Sequence, residues 1–267
     1  MLLHFSGGTS HMWDGIIPLI ENEYNIVAPD YRGHGKSDKP ITGYHIDDMA
    51  NDIFLLLQEL EVRQCHIIGS SLGAEVGLSL AANHPEMVQS FVCEGALYNE
   101  FGEFGQFKGT DEEIEREKES IRLQLASRIL PNHPTKEAIF NEMKDSFINQ
   151  GLWNEYFASF VESCIEKTDE GSFTSHYKNN VRIEYITKYW DLRFEDYYKK
   201  VRCPVLFLPS EEEWGHSNIR GSLEAFACFL KFPYEIVQMK DSIHAYVWMQ
   251  QPTIAGRVAL DFIKKYS

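Results

Sequence analysis

The sequence predicts an α/β protein, built on a doubly wound, mostly parallel sheet that carries an inserted α-helical cap. Two observations predict this class. Short apolar runs alternate with segments of helical period at both ends of the chain, as in parallel sheets whose strands are joined by helices. Residues 97–200 break this alternation, because they contain helical segments without a strand-like run. A chain of 267 residues with 43% hydrophobic content can bury a core of this size.

The first part of the chain supplies the start of the sheet. Leu2 to Phe5 is predicted to be a short strand, and a glycine-rich loop, Ser6 to Thr9, follows it. The two glycines let the backbone of this loop approach another group closely. The next elements are predicted in alternation: a helix over 11–23, a strand over 24–28, a helix over 46–60, a strand over 64–68, a helix over 72–83 and a strand over 87–93.

One stretch combines a predicted strand, a sharp turn and a helix. The apolar run that ends at Ile68 stops at Gly69-Ser70-Ser71-Leu72-Gly73, and an Ala-, Leu- and Gly-rich segment of helical character continues from there. A serine at the centre of a Gly-x-Ser-x-Gly turn is held out from the end of the sheet on a strained backbone, and the glycines remove Cβ atoms that would collide. Ser71 is therefore the predicted nucleophile.

The middle of the chain is predicted to form a helical cap. Its segments are amphipathic, and single glycines and prolines separate them. The predicted domains are a core over 1–96 and 201–267 and a cap over 97–200. The cap has more aromatic residues than its own packing needs, so some of them are expected to line a substrate pocket. The candidates for that pocket are Phe5, Trp153 and Trp190.

The last part of the chain restores the alternation. The predicted order is a strand over 203–208, an acidic loop over 209–214, a helix over 217–230, a strand over 234–239, a loop over 240–244 and a last helix that ends at Tyr266.

Three spaced segments resemble the α/β-hydrolase fold family, in the order that this family uses. They are His4-Phe5-Ser6-Gly7-Gly8-Thr9-Ser10, then Tyr24-Asn25-Ile26-Val27-Ala28-Pro29-Asp30-Tyr31-Arg32-Gly33-His34-Gly35-Lys36-Ser37, and then Gly69-Ser70-Ser71-Leu72-Gly73. The resemblance implies an oxyanion hole with one amide from Ser6, in the loop after the first strand, and the other from Leu72, next to the nucleophile. Phe5 stands where the family commonly has glycine.

The resemblance also implies that two strands which usually precede Leu2 to Phe5 are missing. The strand over 24–28 would then be an edge of the sheet, and an open edge can pair with a second chain. The expectation is a homodimer or an incomplete N-terminus.

A serine hydroxyl needs a histidine base, and the histidine needs a carboxylate that orients it. The resemblance implies the order serine, acid, histidine. It places the histidine at His244, before the last helix, with His216 as the rival near the same end of the sheet. For the acid, alignment from Pro204 points to Glu213, and Glu94, after the preceding strand, is the alternative.

Composition limits partners and cofactors. A net charge of −15 argues against nucleic acid or an anionic membrane as a partner, since both need a basic face. Five scattered cysteines and an N-terminus without the features of a signal peptide lead us to expect a cytoplasmic location. No metal and no cofactor are expected, because the sequence has neither a paired set of ligands nor a phosphate-binding glycine motif.

The predicted function is a serine hydrolase that cleaves a small ester or related acyl substrate through an acyl-enzyme intermediate. C–C bond hydrolases, lactonases and cofactor-free peroxidases share the scaffold and are the alternatives. An aspartate nucleophile would have indicated an epoxide hydrolase or a dehalogenase, and Ser71 argues against both. A non-catalytic ligand-binding member is the remaining alternative, supported by the departures from the family pattern at Phe5, Ser210 and Ile243.

Overall fold

A computed structural model describes residues 1–95 and 98–267 of the chain. The strands in this part are β1 Leu2–Leu3, β2 Cys65–Ser70, β3 Val88–Glu94, β4 Ile165–Lys167, β5 Phe173–Ser175, β6 Val205–Phe207 and β7 Tyr234–Ile236. Five of them form a parallel sheet in the order β1-β2-β3-β6-β7. The other two, β4 and β5, form an antiparallel pair. The predicted α/β class with a mostly parallel sheet is confirmed.

Helices precede, follow and join these strands. They are α1 Ile17–Ile20, α2 Ile46–Glu59, α3 Leu72–Asn83, α4 Asp111–Ala126, α5 Lys136–Asn149, α6 Glu155–Ser163, α7 Asn179–Tyr189, α8 Phe194–Tyr198, α9 Glu211–Gly215, α10 Ser217–Ala227, α11 Val247–Gln250 and α12 Pro252–Lys265, with a 3₁₀ helix over Ser10–Trp13. None of the helices in the described ranges is both long and apolar enough to cross a membrane.

Two buried clusters lie on opposite sides of the sheet, because successive residues of a strand face opposite ways. Ile67 of β2 belongs to the cluster that contains the apolar faces of α2, α3 and α10. Its neighbour Ile68 belongs to the cluster that contains those of α6, α11 and α12. Burying both faces of a parallel sheet in this way is the arrangement that such sheets require.

The segment between β3 and β6 contributes to both clusters. Tyr185 and Phe194 pack in the first cluster, and Phe157 and Phe160 pack in the second. The helices of the predicted cap are therefore held by the same apolar contacts as the sheet. The predicted boundary at residues 96 and 97 lies outside the described residues, and the division into core and cap stays a prediction.

Three elements differ from those predicted. Residues 24–28 are not a strand; they run beside β1 and are joined to it by one bond, from Leu2 N to Val27 O at 2.9 Å. β1 has only two residues, and both pair with β2. It is too short to form a second ladder with residues 24–28. The predicted helix over 11–23 divides into the 3₁₀ helix and α1, since Gly15 and Pro18 fall within it.

The third difference is the β4–β5 hairpin, which lies where only helices are predicted. Gly171, at φ +88°, turns the chain between the two strands, and Thr168 N donates to Ser172 O at 2.8 Å. Each strand has only three residues, too few to show an alternating pattern in the sequence.

Candidate active site

Ser71 lies in the sharp turn between β2 and α3. Its backbone has φ 51° and ψ −118°, a conformation that a residue with a side chain adopts at a cost in energy. Two glycines make the turn sterically feasible. A Cβ on Gly69 would lie 2.5 Å from Gly73 O, and a Cβ on Gly73 would lie 1.9 Å from Leu3 O. The turn therefore requires glycine at both positions of the Gly-x-Ser-x-Gly motif.

His244 lies in the loop that follows β7, and its ring meets the serine. His244 Nε2 is 3.0 Å from Ser71 Oγ, which is hydrogen-bond distance. Gly95, at φ +86°, gives the ring its space, because a Cβ there would lie 2.7 Å from His244 Cε1 and 2.9 Å from Ser71 Cα. The backbone N–H of Ala245, which also has a positive φ, donates to Glu94 Oε1 at 3.0 Å. These contacts fix where the imidazole sits.

Both glutamates that the sequence offers as the acid face the other ring nitrogen. His244 Nδ1 is 3.0 Å from Glu213 Oε1 and 3.3 Å from Glu94 Oε1. Nδ1 makes no aligned hydrogen bond in the described structure, so these are ion-pair contacts. Glu213 and Glu94 are 4% and 0% exposed, so both carboxylates are shielded from water, while the His244 side chain is 35% exposed. The structure thus brings Ser71, His244, Glu213 and Glu94 together. The rival His216 meets them through its backbone, whose N–H donates to Glu213 O at 3.1 Å, and within the described ranges its ring forms no hydrogen bond or ion pair with any of the four.

Each glutamate is held by its own donors. Glu213 is the third residue of α9, and its Oε2 accepts bonds from Ser210 N and Ser210 Oγ, both at 3.1 Å, in a capping box. Glu94 ends β3, and its Oε2 accepts a bond from Ser70 Oγ at 2.5 Å. The predicted acidic loop is therefore the start of a helix, and its capping geometry aims Glu213 at the histidine.

The electrostatics favour a charged imidazole. Burial opposes the charge, but the carboxylates of Glu213 and Glu94 outweigh it and raise the pKa of His244 well above its usual value. Burial also raises the pKa of Glu213, but the charge and contact of His244 outweigh it, so that the pKa of this carboxyl is lowered. The carboxylates of Glu213 and Glu94 therefore stabilise the imidazolium that a proton transfer from Ser71 to His244 would create.

The two predicted oxyanion amides have no acceptor within the described ranges of the chain. Leu72 N is the first amide of α3, where the helix dipole is positive. Ser6 N lies in the loop after β1, and the Ser6 hydroxyl is 2.7 Å from the hydroxyl of Tyr177. A buried residue that the sequence did not single out, His4, supports this loop: its ring contacts Phe5 O at 2.8 Å and accepts a bond from Tyr31 N at 3.2 Å. Burial lowers the pKa of His4 to about 4, so this ring is neutral.

A cavity of about 260 Å³ opens beside the serine, and we call it the nucleophile cavity. Its walls come from α3 and from the segment between β3 and β6. The lining residues are Ser71, Glu75, Tyr98, Glu100, Ile121, Tyr185, Ile186, Tyr189, Trp190, Glu213 and His244.

Glu75 is the lining residue that sequence reasoning missed. It lies one helical turn after Ser71, and its carboxylate accepts bonds from Tyr185 Oη at 3.0 and 2.8 Å. Burial raises its pKa to about 7. The signal was present, because a glutamate in the otherwise apolar helix after the nucleophile is out of place as a core residue.

The three predicted pocket residues have different positions. Trp190 lines the nucleophile cavity, and Phe5 lines a second cavity on the other side of the loop after β1. Trp153 lines neither of them. Its ring packs edge-on against Phe140, with 6.0 Å between centroids, and beneath the Lys144 ammonium. The sequence around Trp153 does not reveal that its ring packs against α5 and lies away from the nucleophile.

Within residues 1–95 and 98–267, one group of side chains could share a metal ion. Ligand atoms of Glu94, Glu213 and His244 lie within 4.8 Å of one another. A metal at this point would occupy the ring nitrogen that the carboxylates otherwise orient, so metal binding and proton transfer by His244 would compete.

Comparison with known proteins agrees with the fold. The sequence model of the α/β hydrolase fold matches residues 1–214. The 2-(acetamidomethylene)succinate hydrolase of Mesorhizobium japonicum is 37% identical over 95 residues, which cover 35% of this chain and 34% of that enzyme. An uncharacterised Mycobacterium tuberculosis protein is 33% identical over 96 residues, which cover 36% of this chain and 28% of that protein. These matches thus span only about a third of the length of the curated relatives.

Similarity to solved structures extends over the whole chain. The crystal structure of E-2-(acetamidomethylene)succinate hydrolase superposes with a TM-score of 0.75 at 21% identity, covering 98% of this chain and 90% of that one. Identity at this level establishes the fold alone. With the matched family residues, the parallel sheet and the serine turn between β2 and α3, the chain belongs to the α/β-hydrolase fold family.

Proposed function

We propose that this protein is a serine hydrolase that cleaves a small ester or related acyl substrate through an acyl-enzyme intermediate. The observation that carries the proposal is the contact of 3.0 Å between Ser71 Oγ and His244 Nε2, with two buried carboxylates at the opposite ring nitrogen. Nucleophile, base and orienting acid in this geometry are the arrangement that activates a serine hydroxyl. A relative and a structural neighbour both named as hydrolases add support.

In the first half of the proposed reaction, Ser71 Oγ attacks the carbonyl carbon while its proton passes to His244 Nε2. Glu213 and Glu94 stabilise the imidazolium. The amides of Ser6 and Leu72 donate to the oxyanion of the tetrahedral intermediate. His244 then gives the proton to the leaving alcohol, and the acyl group stays on Ser71. In the second half, water gives a proton to His244 Nε2 and attacks the acyl carbon. The bond from this carbon to Ser71 Oγ then breaks, His244 returns the proton to Ser71 Oγ, and the acid is released.

The size of the nucleophile cavity limits the substrate. About 260 Å³ is enough for a small group of the substrate. Its wall contains aromatic residues from the segment 98–200, among them Tyr189 and Trp190. We therefore keep the predicted role of this segment, which is to choose the substrate and exclude water, as part of the proposal. The predicted homodimer and cytoplasmic location stay predictions.

Covalent labelling tests the proposal directly. A fluorophosphonate probe should label the purified protein, and Ser71→Ala should remove both the label and the hydrolysis of p-nitrophenyl esters. Ser127→Ala, which removes an exposed hydroxyl at the end of α4, is the matched control and should change neither. A protein that is folded but unlabelled would favour the non-catalytic ligand-binding alternative instead.

A further inference from the structure

A second cavity, of about 370 Å³, lies at the loop that carries the proposed oxyanion amide, and we call it the arginine cavity. Phe5, Ser6 and Gly7 form one wall. Two arginines, Arg128 after α4 and Arg182 in α7, line it as well. Among the described lining residues there is no carboxylate, whereas the nucleophile cavity contains three.

Neither arginine has a carboxylate within ion-pair distance in the described part of the chain. Arg128 Nη1 makes long contacts of 3.4 Å with Tyr177 O and Asn179 Oδ1, and its guanidinium lies 5.8 Å from the centroid of the Tyr177 ring. Burial and the charge of Arg182 both lower the pKa of Arg128. A half-buried guanidinium that has neutral partners and no carboxylate keeps its full positive charge, and an anion can complete its site. This is notable in a chain with a net charge of −15, where carboxylates are abundant.

Two charged side chains close in sequence to Arg182 are bound to other partners. Glu184 is close in sequence to Arg182, but its Oε1 accepts bonds from Gly43 N at 2.9 Å and Tyr44 N at 3.2 Å. Lys178 pairs with Glu166 at 3.4 Å. Neither arginine is thus neutralised by these carboxylates, and both line the cavity together with Tyr177.

The position of the cavity indicates which part of a substrate it would hold. His244 must give its proton to the leaving alcohol, so the alcohol lies on the side of the nucleophile cavity, which His244 lines. The arginine cavity instead begins at Ser6, whose amide would bind the carbonyl oxygen. The acyl part of the substrate is the part that extends past this amide.

We propose that Arg128 and Arg182 form an anion-binding subsite that accepts a carboxylate at the far end of the acyl group. This inference rests on the proposed function and deepens it: the preferred substrates are monoesters of short dicarboxylic acids. Paired guanidinium groups suit this role, since each can donate two parallel hydrogen bonds to a carboxylate.

Matched substrates test the subsite. The kcat/KM for p-nitrophenyl hemiglutarate should exceed that for its neutral methyl ester, and Arg128→Gln and Arg182→Gln should each reduce this ratio by about tenfold or more. Arg182→Lys should keep part of the preference, because it keeps the charge. Arg116→Gln, which removes an exposed arginine of α4, should leave the ratio unchanged. Equal kcat/KM values for the charged and neutral esters would overturn the proposal.

A binding measurement separates the subsite from the catalytic proposal. Monomethyl glutarate should bind Ser71→Ala, as seen by ligand-observed NMR, and binding should weaken by a similar factor when Arg182→Gln is added. Inorganic phosphate serves as the second probe and should bind less well, since it cannot reach Ser6 and the arginines together. If fluorophosphonate fails to label Ser71 but monomethyl glutarate binds in this way, the hydrolase proposal fails and the subsite stands. Binding of phosphate alone would overturn the carboxylate assignment.

Discussion

At the scale of single residues, the unusual feature is that two carboxylates share one imidazole nitrogen. Glu213 is placed by the cap of α9 and Glu94 by the end of β3, so the two approach His244 from different elements. Their supporting donors, Ser210 and Ser70, are also different. Either carboxylate can therefore hold the ring after the other is lost.

We expect the effects of removing these carboxylates to be strongly non-additive. Glu213→Gln and Glu94→Gln should each reduce kcat by less than about tenfold, because the other carboxylate still orients the ring, and the double variant should reduce it by ~10³ to 10⁴, which exceeds the product of the single losses. The exposed Glu224→Gln of α10 is the control. If one single variant loses as much kcat as the double variant, only the glutamate that it removes is the acid.

The same variants should change the pH profile. His244 acts as a base only when neutral, so kcat/KM rises with pH through the pKa of His244, which the carboxylates raise. Removing one carboxylate lowers this pKa, and the acidic limb of the profile should move to lower pH.

Glu75 should make stability depend on pH. Its folded pKa of about 7 lies above the unfolded value near 4.5, so the folded state binds the proton more tightly. The free energy of unfolding therefore loses a contribution of about 3 kcal/mol or less as pH rises from the unfolded pKa to the folded one. In Glu75→Gln this contribution should be absent. Urea unfolding of both proteins at pH 5 and pH 8 measures it, and an equal pH effect in the two would refute the assignment.

At the scale of elements, α7 is the helix that separates the two cavities. Arg182, in its first half, lines the arginine cavity, and Tyr185, Ile186 and Tyr189 line the nucleophile cavity. Trp190 is the C-cap residue of α7 and also lines the nucleophile cavity. Substrate choice should therefore depend on this helix, which contributes residues to both cavities.

Two tryptophans provide a matched comparison. Trp190→Ala enlarges the nucleophile cavity, where the leaving alcohol would lie, so kcat/KM for 2-naphthyl acetate should rise relative to that for methyl acetate by about tenfold. Trp153→Ala removes an aromatic ring that packs on α5, so it should lower stability and leave the ratio unchanged. Labelling by a small fluorophosphonate should proceed at similar rates in both variants. If both tryptophans change the ratio equally, the cavity assignment is wrong.

The elements differ in how well their sequences predict them. α2 and α3 follow from periodicity, and the turn at Ser71 follows from its glycines, because sterics there admit no other residue. The β4–β5 hairpin was missed because strands of three residues carry no pattern. The choice between Glu213 and Glu94 could not be made from spacing, since the fold brings both to one atom. The arginine cavity depends on tertiary packing of α7 on the loop after β1, which leaves no local trace in the sequence.

At the scale of the whole molecule, the helices between β3 and β6 complete both faces of the sheet. They supply aromatic residues to each buried cluster and walls to each cavity. The charge of the molecule is uneven as a result: the surface is acidic overall, while one cavity is lined by arginine. A negatively charged protein can in this way still select an anionic substrate, at a site where the local charge is positive.

The pairing of β3 with β6 has a consequence for synthesis. Phe91 lies opposite Val205 at the centre of the sheet, yet the whole helical segment lies between them in the chain. While a ribosome produces that segment, β3 has no neighbour on this side, and its open edge is exposed to other chains. Closing so long a loop costs little free energy at equilibrium but slows folding. The nascent chain is therefore most open to pairing with other chains during translation of the segment that later lines both cavities.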